Sequence, residues 1–221
     1  MISGLPPSLT DKAYAELEER IVTLALRPGQ VLSENALASA LGIGRTPIRE
    51  ALQRLAREGL IVILPRRGVM VSEINVRNQL ELLRVRRELE RLMAQLAARR
   101  SSAEERAQFR QIAEGMNVCA GKDDDVGFMR LDRDLNLLVS RACRNEYAQR
   151  AMGLTHGLSR RFWYMHYKEV LDLPRCAKLH AALSAAIAEG EPRPAMDASD
   201  ALLDYIESFT RAALDAPISM V

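Results

Sequence analysis

Three side chains at helical spacing carry the most specific chemistry in the sequence. Arg45, Arg49 and Gln53 recur at i, i+4 and i+8, so a helix through them puts all three on one face, opposite Ile48, Leu52 and Leu55. A guanidinium can give two parallel hydrogen bonds to the O6 and N7 edge of guanine, which makes such a face a reader of the DNA major groove. Thr46 and Pro47 follow Arg45; proline suits a first helical turn, where its missing N–H costs nothing, and Thr46 with the remaining first-turn amides can hold a phosphate. Further on, Arg66-Arg67-Gly68 after Pro65 forms a basic tip able to reach an adjacent groove or the backbone. An arginine face alone is no more than a solvated helix surface. The short turn before it and the basic tip after it are what point to nucleic acid.

These residues need elements to hold them. Pro6 and Pro7 make residues 1–9 a loose arm. Thr10 can cap a first helix with Tyr14, Leu17, Ile21 and Leu24/Ala25 as its apolar face, ended by Arg27-Pro28-Gly29. Ser33 can cap a short second helix that Gly42 stops. The reading helix follows from Gly44–Thr46 to Gly59, with Ile48, Ala51, Leu52 and Leu55 as its buried stripe. Leu60 to Leu64 and Val69 to Val71, apolar runs around a Pro/Gly turn, predict a β-hairpin. Three helices and a hairpin in this order describe a winged helix-turn-helix.

After Asn75 the strand signals vanish. Breakers at Ser101-Ser102, Gly121, Arg144-Asn145, Pro174 and around Pro192 and Pro194 divide the rest into six helices, near 75–100, 102–118, 123–142, 146–169, 172–189 and 193–215. The expected fold is mainly α: a DNA-binding domain over 10–73 and an all-helical domain over 74–221, with a hinge at 72–76. Within the fourth of these helices, Phe162, Trp163, Tyr164 and Tyr167 are four of the chain's ten aromatics. Core packing is the ordinary explanation of such a cluster, with some of its members lining a mixed apolar cavity.

Composition sets the outer limits. The 221 residues carry a net charge of +2, with 48% hydrophobic and 27% charged residues, as in an ordinary globular protein. Between Ile43 and Gly68 six arginines face two glutamates, whereas from Asn75 onward 22 basic residues face 21 acidic ones. The positive excess therefore sits on the reading helix and the wing. Cys119, Cys143 and Cys176 are odd in number and lack metal-type spacing, which suits reduced thiols in the cytoplasm. Neither a secretion signal nor a membrane-spanning run is evident.

Pro28-Gly29-Gln30-Val31-Leu32-Ser33-Glu34, Leu37-Ala38, Leu41 through Leu52, Leu55 and Glu58-Gly59-Leu60 together resemble the signature of GntR-family transcription regulators over nearly all of residues 12–72. The resemblance implies operator contacts from Ser33, Glu34, Arg45, Thr46, Pro47, Arg49, Gln53, Arg66, Arg67 and Gly68. One departure is Gly44, where the family usually has Ser or Thr. A hydroxyl that could cap the helix or touch phosphate is missing there.

The second half is similar to the FCD domain of the FadR branch of that family, through Leu83 to Glu90 with Ala97-Ala98, Leu131 to Asn136 running on to Arg144-Asn145, and Leu179 to Leu183 with Ala186-Ile187 and Gly190-Glu191. Many such domains bind a divalent metal of the zinc or nickel type through one Asp and three His. Here Asp132 and His180 keep two of the four positions, Asn136 replaces a histidine and the last position falls near Leu202. Asp200 and Asp204 stand out of place for it, and His156 and His166 are unassigned. The metal site is incomplete, and Asp132 and His180 read equally well as a hydrogen-bonded polar pair in a helical core or as part of a ligand pocket. Arg86 lies where the family often faces the pocket and would suit a carboxylate effector, with Asn136, Asp132 and His180 beside it; its competing partner is Glu90 at i+4.

The resulting expectation is a cytoplasmic homodimeric regulator, a repressor, whose grip on double-stranded operator DNA answers to an organic acid. Two other readings are a helical metal-dependent enzyme, disfavoured by the missing ligands and the lack of a nucleophile–base motif, and an interaction module that has lost operator specificity.

Overall fold

The structure is a computed structural model that describes residues 7–122, 124–170 and 172–215. Most of the expected arm, residues 1–6, lies outside the described residues. The described chain forms two compact units: the residues up to Asn75 together with Gly153–Tyr167, and Val76–Met152 together with the described residues from Lys168 on.

The first unit contains α1 (Leu9–Val22), β1 (Val31–Leu32), α2 (Glu34–Leu41), α3 (Arg45–Arg57), β2 (Ile61–Leu64) and β3 (Gly68–Val71). Its interior joins Ala13, Leu17 and Ile21 of α1 to Ile48, Ala51, Leu52 and Leu55 of α3 and to Leu60, Ile61, Val69 and Val71 of the hairpin. Ile48 and Leu55 are completely buried, and each buried side chain of this size contributes about 1.5–3 kcal/mol.

Two local expectations are corrected. The cap of α1 is Ser8, whose hydroxyl accepts from the Asp11 amide, while the Thr10 hydroxyl donates to Glu50 at 2.7 Å. The helix also stops at Val22 rather than near Arg27: Leu24 turns to φ 61°, and the Leu26 amide folds back onto the Arg20 carbonyl. That early stop releases the segment before α2 to pair with the wing. Gly29 donates to Val71, Val71 donates to Gln30, and β1 becomes a third strand in an antiparallel sheet of order β1-β3-β2.

The second unit is built from α4 (Val76–Arg100), α5 (Ala103–Lys122), α6 (Asp125–Ala142), α8 (Leu173–Glu189) and α9 (Pro192–Asp215), with the ends of α7 (Glu146–Val170). The expected boundaries hold to within a few residues, α5 running four further than expected. Capping explains the starts. Ser102 and Glu105 form a reciprocal capping box, and Asp124 and Asp172 cap α6 and α8. α5 packs along α8 and α4 along α9 around Phe109, Met116, Leu138, Ile187 and Leu203. Arg106 reaches the carbonyls of Ala98 and Ala188, closing the C-terminal ends of α4 and α8.

The helix α7 is continuous, yet Gly153–Tyr167 clusters with the first unit. Gly157 leaves room for Leu60, whose Cδ1 would lie 2.7 Å from an added Cβ. Arg160 makes two contacts with Glu18, at 2.8 and 3.1 Å. Arg161, 2% exposed, donates to the Ser72 carbonyl and hydroxyl and to the Glu73 carbonyl. Burial pulls this guanidinium down to about 10, opposed by the nearby Glu73. Ser72 in turn donates to the Gly59 and Leu60 carbonyls. The start of the expected hinge is thus tied to the end of α3. Of the aromatic cluster, Phe162 is buried, and Trp163 stacks on Tyr167 at 4.6 Å.

Candidate nucleic-acid interface and effector site

The amphipathic pattern of α3 decides what it presents. With Ile48, Ala51, Leu52 and Leu55 facing inward, Arg45, Thr46, Arg49 and Gln53 all lie exposed on the other side. Pro47 sits half-buried in the first turn. Gly44 is the N-cap and brings no side-chain bond, so a capping hydroxyl does not compete for the first-turn amides. The other end of α3 is secured by Glu58, which accepts from Tyr14 at 2.7 Å and from Arg54 at 3.2 Å. Burial and this glutamate push the Tyr14 hydroxyl well above its ordinary range, keeping it a donor. Arg54 lies over the Tyr14 ring.

The start of α2 meets the start of α3. Glu34 Oε2 accepts from Arg49 Nε at 3.1 Å and Nη2 at 2.9 Å, and this hydrogen bonding holds the Arg49 charge more firmly. Asn35 Oδ1 accepts from Arg45 Nη1 at 3.3 Å. Asn35 did not stand out in the sequence, although a helix-turn-helix brings the N-terminal residues of its two helices together. Ser33 occupies the N-cap of α2, but its hydroxyl makes no capping bond; it stays exposed beside Glu34.

In the wing, Arg66 and Arg67 are exposed on the turn between β2 and β3. Gly68 has a structural duty there. Its φ is 98°, and a Cβ would collide with the Leu32 backbone oxygen. Only glycine lets β1 close on β3 at this point.

In the second unit, His180 of α8 is buried and both ring nitrogens face acceptors. Nδ1 lies 2.8 Å from the Cys176 carbonyl, and Nε2 lies 3.2 Å from Asp132 Oδ1 of α6. Burial opposes a charge on the ring, but Cys176 and the Asp132 carboxylate outweigh it and hold the imidazolium well above the usual histidine range. Asn136 donates to Asp132 Oδ1 at 3.0 Å and to its carbonyl, and Phe128 meets the imidazole edge-on. Asp132, Asn136 and His180 are therefore one hydrogen-bonded chain.

This arrangement does not fit a metal. Asn136 turns its donor toward Asp132 and Leu202 is buried as an apolar residue, which leaves Asp132 and His180 as two of the four expected ligands. Among the described residues no group of three or more His, Cys, Asp or Glu is placed to hold an ion. Arg86 meets Glu90 at i+4, with Nε to Oε1 at 2.7 Å, but the pair is not at the surface: the side chains are 12% and 14% exposed. Arg87 faces Asp200 and Asp204 on α9, and Arg91 also meets Asp200, so those aspartates serve the α4–α9 contact. His166 is buried in the first unit. Cys119, Cys143 and Cys176 are all buried and unbridged. No helix among the described residues is long and apolar enough to cross a membrane.

Comparison with known proteins bears on both units. The family model of bacterial regulatory proteins of the gntR family matches residues 9–71, and that of the FCD domain matches residues 81–205. An uncharacterised HTH-type transcriptional regulator from an unstable DNA locus of Streptomyces ambofaciens is 47% identical over 62 residues, 28% of this chain and 26% of the relative. The HTH-type transcriptional regulator McbR of Escherichia coli K12 is 30% identical over 132 residues, 60% of each chain. These matches span less than two thirds of either relative's length. The solved structure of E. coli McbR/YncC superposes with a TM-score of 0.80 at 21% identity, covering 95% of this chain and 100% of that one, which shows the same fold.

Proposed function

Because this chain belongs to the GntR family of bacterial regulatory proteins and carries an FCD domain, we propose that it is a sequence-specific transcription regulator acting on double-stranded operator DNA in the cytoplasm. The observation that carries this reading is the exposed face of Arg45, Thr46, Arg49 and Gln53 on a helix whose opposite face is anchored in the core. In this reading α3 enters the major groove, Arg45 and Arg49 contact guanine edges, and Thr46 with the first-turn amides holds a phosphate. Arg66 and Arg67 contact the neighbouring backbone or groove. Two copies of the chain, related by two-fold symmetry, read a palindromic site.

The second unit takes a small organic acid. Arg86 is a nearly buried guanidinium able to receive a carboxylate in place of Glu90, and the chain of Asp132, Asn136 and His180 supplies further polar contacts. The effector acts by binding one arrangement of the paired DNA heads more tightly than another. The regulator represses, since occupancy of the operator suffices to block transcription whereas activation requires an added surface for polymerase.

The test is genome-wide footprinting with the purified full chain, followed by titration on an enriched site and on scrambled DNA at several salt concentrations. A regulator of this class holds its site at least about a thousandfold tighter than random DNA. Equal affinity for both would overturn the reading. Protection at promoters, relieved by an acid made or consumed by the neighbouring genes' products, would establish the effector class.

A further inference from the structure

Arg45 and Arg49 on α3 are exposed but not loose, each meeting a side chain at the start of α2. Glu34 is the first residue of α2, fifteen positions from Arg49 in sequence, and one of its oxygens takes both Nε and Nη2 of that arginine. The guanidinium plane is thereby fixed, while the outer edge formed by Nη1 and the second Nη2 hydrogen is left to donate. That edge has the spacing needed for O6 and N7 of guanine. The Glu34 side chain is 30% exposed and Arg49 61% exposed, so the pair sits at the surface that faces DNA in the proposed complex. A carboxylate there also repels phosphate. An untethered arginine would swing freely to any phosphate oxygen and bind all sequences alike.

We propose that Glu34 is a specificity-determining positioning residue: it holds Arg49 for a base edge and disfavours its use as a general phosphate contact. This rests on the operator-binding reading above. Glu34 thus acts through Arg49 rather than by touching a base. It is a repulsive element against the wrong target, which sharpens discrimination without adding an attractive contact. Asn35 makes the analogous but weaker contact with Arg45.

The experiment uses the full chain as wild type, Glu34→Gln, Arg49→Ala and the double variant, with melting curves confirming that each is folded. Wild type first selects from a random duplex library. All four proteins are then titrated on the enriched duplex and on a scrambled one at a single salt concentration. Glu34→Gln is expected to bind scrambled DNA about three- to tenfold tighter, as removal of one screened charge allows, with no gain on the enriched duplex. The specificity ratio then falls by the same factor. In the Arg49→Ala background the Glu34→Gln change should shift both duplexes equally, because the residue it acts through is gone. A ratio unchanged by Glu34→Gln, or equal tightening on both duplexes with Arg49 present, overturns the proposal and leaves Glu34 a plain surface charge. If wild type enriches no sequence at all, the operator-binding reading itself falls, and the positioning role falls with it.

Discussion

Arg49 and His180 are each held by a carboxylate, Arg49 by Glu34 at 2.9 Å and His180 by Asp132 at 3.2 Å. The first pair lies on the surface of the winged unit and the second inside the helical one, where the His180 side chain is 9% exposed against 61% for Arg49. The same kind of contact therefore does different work. An exposed ion pair contributes about 0–1 kcal/mol to folding, so it orients the Arg49 side chain without holding the unit together. A buried imidazolium that loses its carboxylate must release its proton or stay charged away from water, so the contact is coupled to the packing around it.

The contrast can be broken most directly at Asp132. Asp132→Ala should lower the stability of the chain by about 2–4 kcal/mol, less than a fully buried pair because the carboxylate side chain is 28% exposed. Denaturant titration reads this, and a loss no larger than that of Glu34→Gln, expected to stay within about 0.5 kcal/mol, would erase the distinction. Next in size is Gly68→Ala, which strains a positive φ and drives a Cβ into the Leu32 oxygen. A cost of about 2 kcal/mol is expected, together with faster amide exchange at Val71, whose N–H donates to the Gln30 carbonyl, as β1 leaves β3.

Arg49→Ala should leave the melting temperature unchanged while reducing discrimination between the enriched and scrambled duplexes by about 1–2 kcal/mol. Equal loss on both would show that Arg49 serves only as a charge. Within the helical unit, Tyr205 sharpens the comparison. Burial, with Cys176 nearby, pushes its hydroxyl up to about 12, while it donates to the Asp172 carbonyl and accepts from the Asp172 amide. A folded value raised above the ordinary value near 10 favours the neutral form, so its contribution is whole below about pH 10 and is lost as pH climbs toward 12. Tyr205→Phe should cost about 1 kcal/mol at neutral pH and flatten that alkaline decline in a pH series of melting curves. The smallest effect belongs to Arg67→Ala, which should weaken binding to every sequence alike and reduce the salt slope by about 1.

Much of this was legible without coordinates because it is local. Helical periodicity and breakers located α4 through α9 to within a few residues, and the spacing of Ile48, Leu52 and Leu55 against Arg45, Arg49 and Gln53 set both faces of α3, since a helix divides its surface by residue number alone. Gly44 and Gly42 marked the turn by having no side chain to offer. The site in the bundle was legible only as residue types. Asp132 and His180 could equally be pocket or core, because 48 positions separate them and only packing brings α6 and α8 together.

What the sequence determined by itself was therefore the order of the helices and the hairpin and which face of α3 is basic. The tertiary structure decided the rest. It made β1 from Val31 and Leu32, two residues too few to show a period, once β3 offered its edge. It placed Gly153–Tyr167 of an unbroken helix with the winged unit, through Arg161 and Ser72, which lie 89 positions apart. It also joined Glu34 to Arg49. Neighbour relations along a chain are written in its spacing, but partners across a fold are chosen only when the interior closes, because burial and hydrogen-bond satisfaction are properties of the whole packed unit.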